Sequence, residues 1–326
     1  MELLKVLFIF VIGLLLLIKG GDWFVDSSCN IARRFKIPEI LIGATVVSIG
    51  TTLPEVMVSL QGALGGQGAM AYGNANGSII CNTALIAAIT VAIKPSAVDK
   101  KSLKIPVIFF FTALVIYATT AYLTKDFSRT VGIILLMVFG IYMAYSVASA
   151  FKKPQSEISE TEHQPQKNEG NVIKDIVMLI IGALCIAFGA DFLIDSTTYI
   201  AEFFGVPESV IALTIVALGT SLPELVTAIT SLVKGHGALS LGNIIGANLF
   251  NIVLVSGVSI TAAPFALPSE KTLFGLNASL LVDLPLVALV MTILCIPSLI
   301  RGKLSRWQGV LLLCIYAAFL IFQFVM

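Results

Sequence analysis

The sequence predicts an all-α integral membrane protein of ten transmembrane helices, arranged as two inverted five-helix repeats. Three observations carry this reading. First, the 326 residues are 57% hydrophobic and only 12% charged, with mean hydropathy +0.99, whereas soluble domains are about a quarter charged. Second, charge is absent over stretches such as Ala69 to Ile93, and about 20 apolar residues are enough to cross the hydrocarbon layer. Third, the chain repeats itself: the 62 residues from Gly21 to Asn82 align without a gap to Ala190 through Asn251, with 23 identities.

The apolar segments predict helices at 3–20, 38–64, 68–93, 104–123 and 130–150, then at 172–190, 207–233, 237–260, 278–299 and 307–325. Helices satisfy their own backbone groups in lipid, and the short alternating segments of a membrane β-barrel are not found. The polar stretch 151–171, with Pro154, Pro165 and a run of Glu, Gln, Ser and Lys, reads as a flexible connector. It separates a first repeat, 1–150, from a second, 172–326.

Two related units with an odd number of helices sit in opposite orientations. All Lys and Arg residues except Lys5, Lys125, Arg129 and Lys271 fall on one side of the resulting layout. The positive-inside rule then places both termini outside and the connector in the cytoplasm of a plasma (inner) membrane protein. The first apolar stretch has the look of a secretory signal, yet its counterpart at the start of the second repeat argues against cleavage. Cys29, Cys81, Cys185, Cys295 and Cys314 are scattered, with no CxxC or Cys/His spacing, so neither disulfides nor a metal or redox site is expected. His163 and His236 are expected in cytoplasmic loops, away from any catalytic or zinc chemistry.

The chemistry sits in the repeated core. Gly50-Thr51-Thr52-Leu53-Pro54-Glu55 recurs as Gly219-Thr220-Ser221-Leu222-Pro223-Glu224. Proline lacks the N–H a continuous helix uses, so helices 2 and 7 are expected to break just before Pro54 and Pro223. Thr52 with Glu55, and Ser221 with Glu224, have capping-box spacing. Capping alone needs no acid, and an ionised glutamate deep in a bilayer is costly unless paired or solvated. Segments 38–64 and 207–233 each lack Lys, Arg and His entirely, so a bound cation is the simplest counter-charge.

The helix after each motif has its own pattern. Gly73-Asn74-Ala75-Asn76-Gly77-Ser78 leads to Asn82, and Gly242-Asn243-Ile244-Ile245-Gly246-Ala247 leads to Asn251. Glycines four apart permit close helix approach, and Ser78 shares a face with Asn82. The asparagines can serve interhelical hydrogen bonding or ion contact. Inverted symmetry is expected to bring helices 2, 3, 7 and 8 together, so that Glu55 and Glu224 are joined by Thr51, Thr52, Thr220, Ser221, Ser78, Asn82 and Asn251. All offer oxygen, which suits hard cations such as Ca²⁺ and Na⁺.

These motifs resemble the two α-repeats of the sodium/calcium exchanger branch of the calcium/cation antiporters, in its compact prokaryotic form. The resemblance covers nearly the whole chain and implies that Glu55 and Glu224 are central cation ligands. It further implies oxygen ligands from Thr51, Thr220, Thr52, Ser221, Ser78 and Asn82. The second repeat departs from the family pattern, with Ala247 where many members have Ser and Asn251 where many have Asp; in the first, Ile79 replaces a common Asn. The implied function is Na⁺/Ca²⁺ antiport by alternating access, with helices 1 and 6 as the moving element. H⁺-coupled cation antiport and a passive cation channel stay open at this point. An enzyme is not expected, since there is no HExxH motif and no intramembrane Ser/His pair. No cofactor and no nucleic-acid partner are expected; the partners are inorganic cations and the lipid bilayer.

Overall fold

The computed structural model describes residues 2–95, 97–152, 171–203, 219–269 and 272–325. Residues 153–170 of the 151–171 connector and the first part of the seventh predicted helix, 207–218, therefore lie outside the described residues. Thirteen α-helical segments follow one another within them: α1 (Glu2–Arg34), α2 (Glu39–Ile42), α3 (Ser48–Leu64), α4 (Gly68–Cys81), α5 (Ala88–Ile93), α6 (Lys100–Leu123), α7 (Arg129–Lys152), α8 (Val172–Phe203), α9 (Leu222–Val233), α10 (Gly237–Phe250), α11 (Gly257–Ala262), α12 (Leu284–Arg301) and α13 (Arg306–Val325). Short π-helical turns at Gly43–Val47, Asn82–Ala87 and Asn251–Ser256 join α2 to α3, α4 to α5 and α10 to α11. A fourth, Ser279–Asp283, leads into α12. Among the described residues nine continuous helical spans are long and apolar enough to cross a membrane, and α9 is a shorter apolar helix.

The chain packs as two compact units, Met1–Gly50 with Met143–Asn243, and Thr51–Tyr142 with Ile244–Met326. Each draws on both sequence repeats. In the first unit α1 lies along α8. A methyl group added at Gly13 would meet the Gly189 carbonyl oxygen at 3.0 Å, and one at Gly20 the Gly182 oxygen at 2.9 Å. The order of these contacts reverses along the partner, so the two helices run antiparallel. Gly13 and Gly182 are equivalent positions of the two repeats, as are Gly20 and Gly189, so each contact is the symmetry image of the other. Leu17, Phe24, Val25, Ile186 and Ala190 fill the seam around them.

Both helices run well past their predicted ends at 20 and 190. The Lys-Gly-Gly-Asp sequence after residue 18 reads as a terminus, but Asp22 and Asp26 are ion-paired to Lys234 at 3.1 and 2.8 Å. Burial works against the Lys234 ammonium, yet the hydrogen bonds and charges of Asp26 and Asp22 outweigh it and raise its pKa above that of an ordinary lysine. A second close crossing in this unit joins the Gly43–Val47 turn to α10. A methyl at Gly43 would lie 2.5 Å from the Leu239 oxygen, and one at Gly242 only 2.2 Å from the Ile40 oxygen.

The second unit is built on α4, which packs against the Asn251–Ser256 turn and α12. Its ends are stitched by aromatic rings: Tyr117 stacks on Phe127 at 4.6 Å, and Phe127 meets Phe265 at 5.6 Å. The two-residue strands β1 (Asp126–Phe127) and β2 (Phe265–Ala266) pair antiparallel at that point. Helix α6 starts at Lys100, four residues before its predicted start, because Asp99 caps it by accepting from Lys101 N at 3.0 Å.

Candidate cation-binding site

The two Pro-Glu motifs adopt different local structures. In the first repeat no break precedes Pro54: helical structure runs from Glu39 through Leu64 with Pro54 inside α3. The irregularity sits earlier, at the Gly43–Val47 π-turn, where the Ser48 hydroxyl donates to Gly43 O at 2.7 Å, with Asn243 O 2.9 Å away as a second acceptor. In the second repeat the break is present. Thr220 and Ser221 form a turn, and α9 begins at Leu222 with Pro223 in its first turn, where the missing N–H costs nothing.

The capping-box expectation is not met. Thr52 lies within α3, and Ser221, although at the N-cap position of α9, makes no side-chain cap bond. Its Oγ is buried with no hydrogen-bond partner among the described residues. Glu55 and Glu224 are both completely buried, at 0% exposure, as are Thr51, Thr52 and Ser221 within 2%.

The second unit gathers Thr51, Thr52, Glu55, Ser78, Asn82 and Asn251. The first holds Thr220, Ser221 and Glu224. Within the second unit, Asn74 on α4 donates to the Glu55 backbone oxygen at 3.2 Å and to Ser59 Oγ at 2.8 Å, which ties the two site helices one turn apart. Ser78 is buried on the same helix at 4% exposure.

Asn82 and Asn251 occupy equivalent positions, and each is the first residue of a π-turn. Both are 0% exposed, and neither the amide nitrogen nor the oxygen of either side chain has a hydrogen-bond partner among the described residues. Buried polar atoms are almost always satisfied, and π-turns inside α-helices concentrate at functional sites. Two symmetry-related carboxamides depart from the first rule and stand where the second applies, which makes them candidate ligands. The equivalence is not complete: Ser256 Oγ donates to the Asn251 backbone oxygen at 3.0 Å, whereas the matching residue in the first repeat is Ala87.

One buried polar residue near Asn251 in sequence, Asn248, was not among the residues expected from sequence. Asn248 donates to Thr83 Oγ1 at 2.7 Å and lies 3.2 Å from Met291 Sδ; its repeat mate is Ile79, so symmetry alone gives no signal for it. At Gly73 and Gly77 no close approach is seen among the described residues. A methyl at either meets nothing within 4 Å among the described residues, while Gly242 makes the tight crossing described above.

Comparison with known proteins gives a consistent picture. A family model described as sodium/calcium exchanger protein matches residues 5–148 and 174–325. An uncharacterized membrane protein of Methanocaldococcus jannaschii is 35% identical over 94% of each chain. The sodium/calcium exchanger MaX1 of Methanosarcina acetivorans is 29% identical over 97% of each chain. Among solved structures, the sodium-calcium exchanger NCX_Mj soaked with 2.5 mM Na⁺ and 0.1 mM Ca²⁺ matches with a TM-score of 0.79 at 32% identity, covering 96% of this chain and 97% of that one.

Proposed function

This chain belongs to the sodium/calcium exchanger family, and on that premise we propose that it is a secondary active antiporter exchanging Na⁺ for Ca²⁺ by alternating access, with Glu55 and Glu224 as the charged ligands. The observation that carries the ligand assignment is the pair of buried carboxamides of Asn82 and Asn251, unsatisfied among the described residues. They stand at equivalent places in the helices that follow the two glutamate motifs. An amide oxygen with no protein donor is a ready ligand for a hard cation, and Ser78, Thr51, Thr52, Thr220 and Ser221 add neutral oxygens of the same kind.

Charge supplies the coupling. Two carboxylates balance one Ca²⁺ or about two Na⁺, so either load gives a nearly neutral complex. Without an ion the two buried carboxylates carry net negative charge in a low-dielectric interior, which disfavours the conformational step. Inward Na⁺ flow then drives Ca²⁺ out. The antiparallel α1 and α8, packed through paired glycines, are the elements we assign to the movement. Both termini are assigned to the outside and the 151–171 connector to the cytoplasm, on the strength of the Lys/Arg asymmetry.

The deciding experiment is reconstituted flux. Proteoliposomes loaded with Na⁺ and diluted into Na⁺-free medium should accumulate ⁴⁵Ca²⁺, with no requirement for a pH gradient. Uptake driven by a pH gradient alone would replace sodium coupling with proton coupling, and uptake without any counter-ion would make the protein a channel.

A further inference from the structure

Three side chains from three separate segments, Cys29, Glu39 and the distant His236, meet within the unit formed by Met1–Gly50 and Met143–Asn243. A ligand atom from each of Cys29, Glu39 and His236 lies within 4.8 Å of the other two. His236 Nδ1 is 2.9 Å from Glu39 Oε1. We propose that Cys29, Glu39 and His236 bind Zn²⁺ or a similar borderline-soft divalent ion, and that its binding inhibits exchange.

The donor set argues for this class of ion. Thiolate, imidazole and carboxylate are the ligands Zn²⁺ takes, at about 2.0–2.3 Å in tetrahedral geometry. Such bonds place neighbouring ligand atoms roughly 3.3–3.8 Å apart. The present 2.9 Å contact has to open slightly and the wider separations to close by about an ångström, within reach of side-chain torsions. Thiolate and carboxylate together neutralise the ion, the thiol proton leaving to water as the metal binds. Na⁺ and Ca²⁺ prefer all-oxygen ligation, so this group is chemically separate from the transport ligands.

The surroundings hold the three ligands ready. Asp22 and Asp26, two turns and one turn before Cys29 on α1, grip Lys234, which docks the turn carrying His236 against that helix. Arg33 donates to Cys29 O at 3.3 Å and to Asn30 Oδ1 at 3.1 Å. Cys29 is fully buried, while the His236 and Glu39 side chains keep 25% and 12% of their surface. The open side admits an ion and leaves a position for water as fourth ligand.

Inhibition follows from where the ligands sit. Cys29 is near the end of α1, Glu39 opens the helical run that carries Glu55, and His236 lies in the turn after the helix that carries Glu224. A metal bonded to all three fixes their spacing, and any transport step that changes it must first break a metal bond. This last part rests on the exchange reading; the binding part does not.

The test uses Co²⁺ as a spectroscopic stand-in on the purified full-length protein in detergent. Wild type should develop a thiolate-to-cobalt charge-transfer absorption that saturates at one ion per chain and is displaced by Zn²⁺. Cys29→Ser should abolish the band, and His236→Asn and Glu39→Gln should each weaken binding at least ~10-fold, since even supporting residues around a metal contribute that much. No band in wild type, or an equal band in Cys29→Ser, overturns the site. In proteoliposomes, Zn²⁺ should inhibit wild-type Ca²⁺ flux and spare Cys29→Ser and His236→Asn, whose zinc-free flux reports that they fold. Full flux with zinc bound overturns the inhibitory role. If wild type shows no exchange at all, the cobalt band still decides the site.

Discussion

The Asn74 side-chain amide donates to the backbone oxygen of Glu55 at 3.2 Å, while its second bond, to Ser59 Oγ at 2.8 Å, locks its orientation. Glu55 is thus held by a helix other than its own. Asn74→Ala removes both bonds, costing about 1 kcal/mol of stability for each net hydrogen bond. The expected result is a several-fold rise in the Ca²⁺ concentration for half-maximal uptake. Asn74→Asp keeps the size but cannot donate to a carbonyl, so it should behave like Asn74→Ala. Wild-type affinity in Asn74→Asp would show that the amide does not position the glutamate. Concentration-dependent ⁴⁵Ca²⁺ uptake, paired with a thermal melt, separates the two effects.

Glu55→Gln and Glu224→Gln preserve shape and remove charge. Neutralising one member of a buried charge pair costs about 3–5 kcal/mol, which corresponds to ~100-fold or more in ion affinity. Each variant should lose exchange while remaining monodisperse on size-exclusion chromatography. Full transport by either would remove that residue from the ligand set.

Asn251→Asp adds a third carboxylate where the second repeat now offers an amide. The backbone bond from Ser256 Oγ to Asn251 O is unaffected, so the change is confined to the side chain. Tighter Ca²⁺ binding with a lower maximal rate is expected, because a more negative site releases a divalent ion less readily. Unchanged affinity and rate together would place the Asn251 side chain outside the ion path.

Gly242 and Gly73 differ in what an added side chain would meet among the described residues. Gly242→Ala puts a methyl 2.2 Å from the Ile40 carbonyl oxygen, a contact with backbone that cannot swing away, and overpacking of this kind costs about 1–3 kcal/mol or more. Gly73→Ala meets nothing within 4 Å among the described residues and should melt at or above the wild-type temperature, since alanine favours helix by up to ~1 kcal/mol. Thermal unfolding of the two purified variants checks both signs.

The orientation assignment can be read by labelling. Phe274, 91% exposed in the loop after α11, and Phe35, 48% exposed just after α1, belong to opposite sides in the topology given above. In a background with Cys314 replaced, Phe274→Cys should react with an impermeant maleimide on intact cells, and Phe35→Cys only after permeabilisation. The reverse pattern inverts the topology.

Much of this protein was legible without coordinates. Hydropathy located the spans because a bilayer imposes length and apolarity on each segment separately, and the offset of 169 residues between Glu55 and Glu224 exposed the duplication. The 68–93 span was read to the residue. Helix ends were less legible where charge was compensated from afar: nothing local to Asp22 or Asp26 announces Lys234.

Packing decided the rest. Identical Pro-Glu motifs became a continuous helix around Pro54 and a fresh helix start at Pro223, because proline only forbids one hydrogen bond and leaves the surroundings to choose how the loss is absorbed. The same sequence spacing of glycines gave a backbone-to-backbone crossing at Gly242, while Gly73 and Gly77 meet no such neighbour among the described residues. The meeting of Cys29, Glu39 and His236 has no signature in spacing at all. Sequence by itself therefore determined what lies in the membrane, how often and with which acids, since those follow from local composition and repetition. Which oxygen, nitrogen and sulfur atoms face one another was decided only by tertiary structure, because such contacts depend on side chains from helices that are distant in the chain.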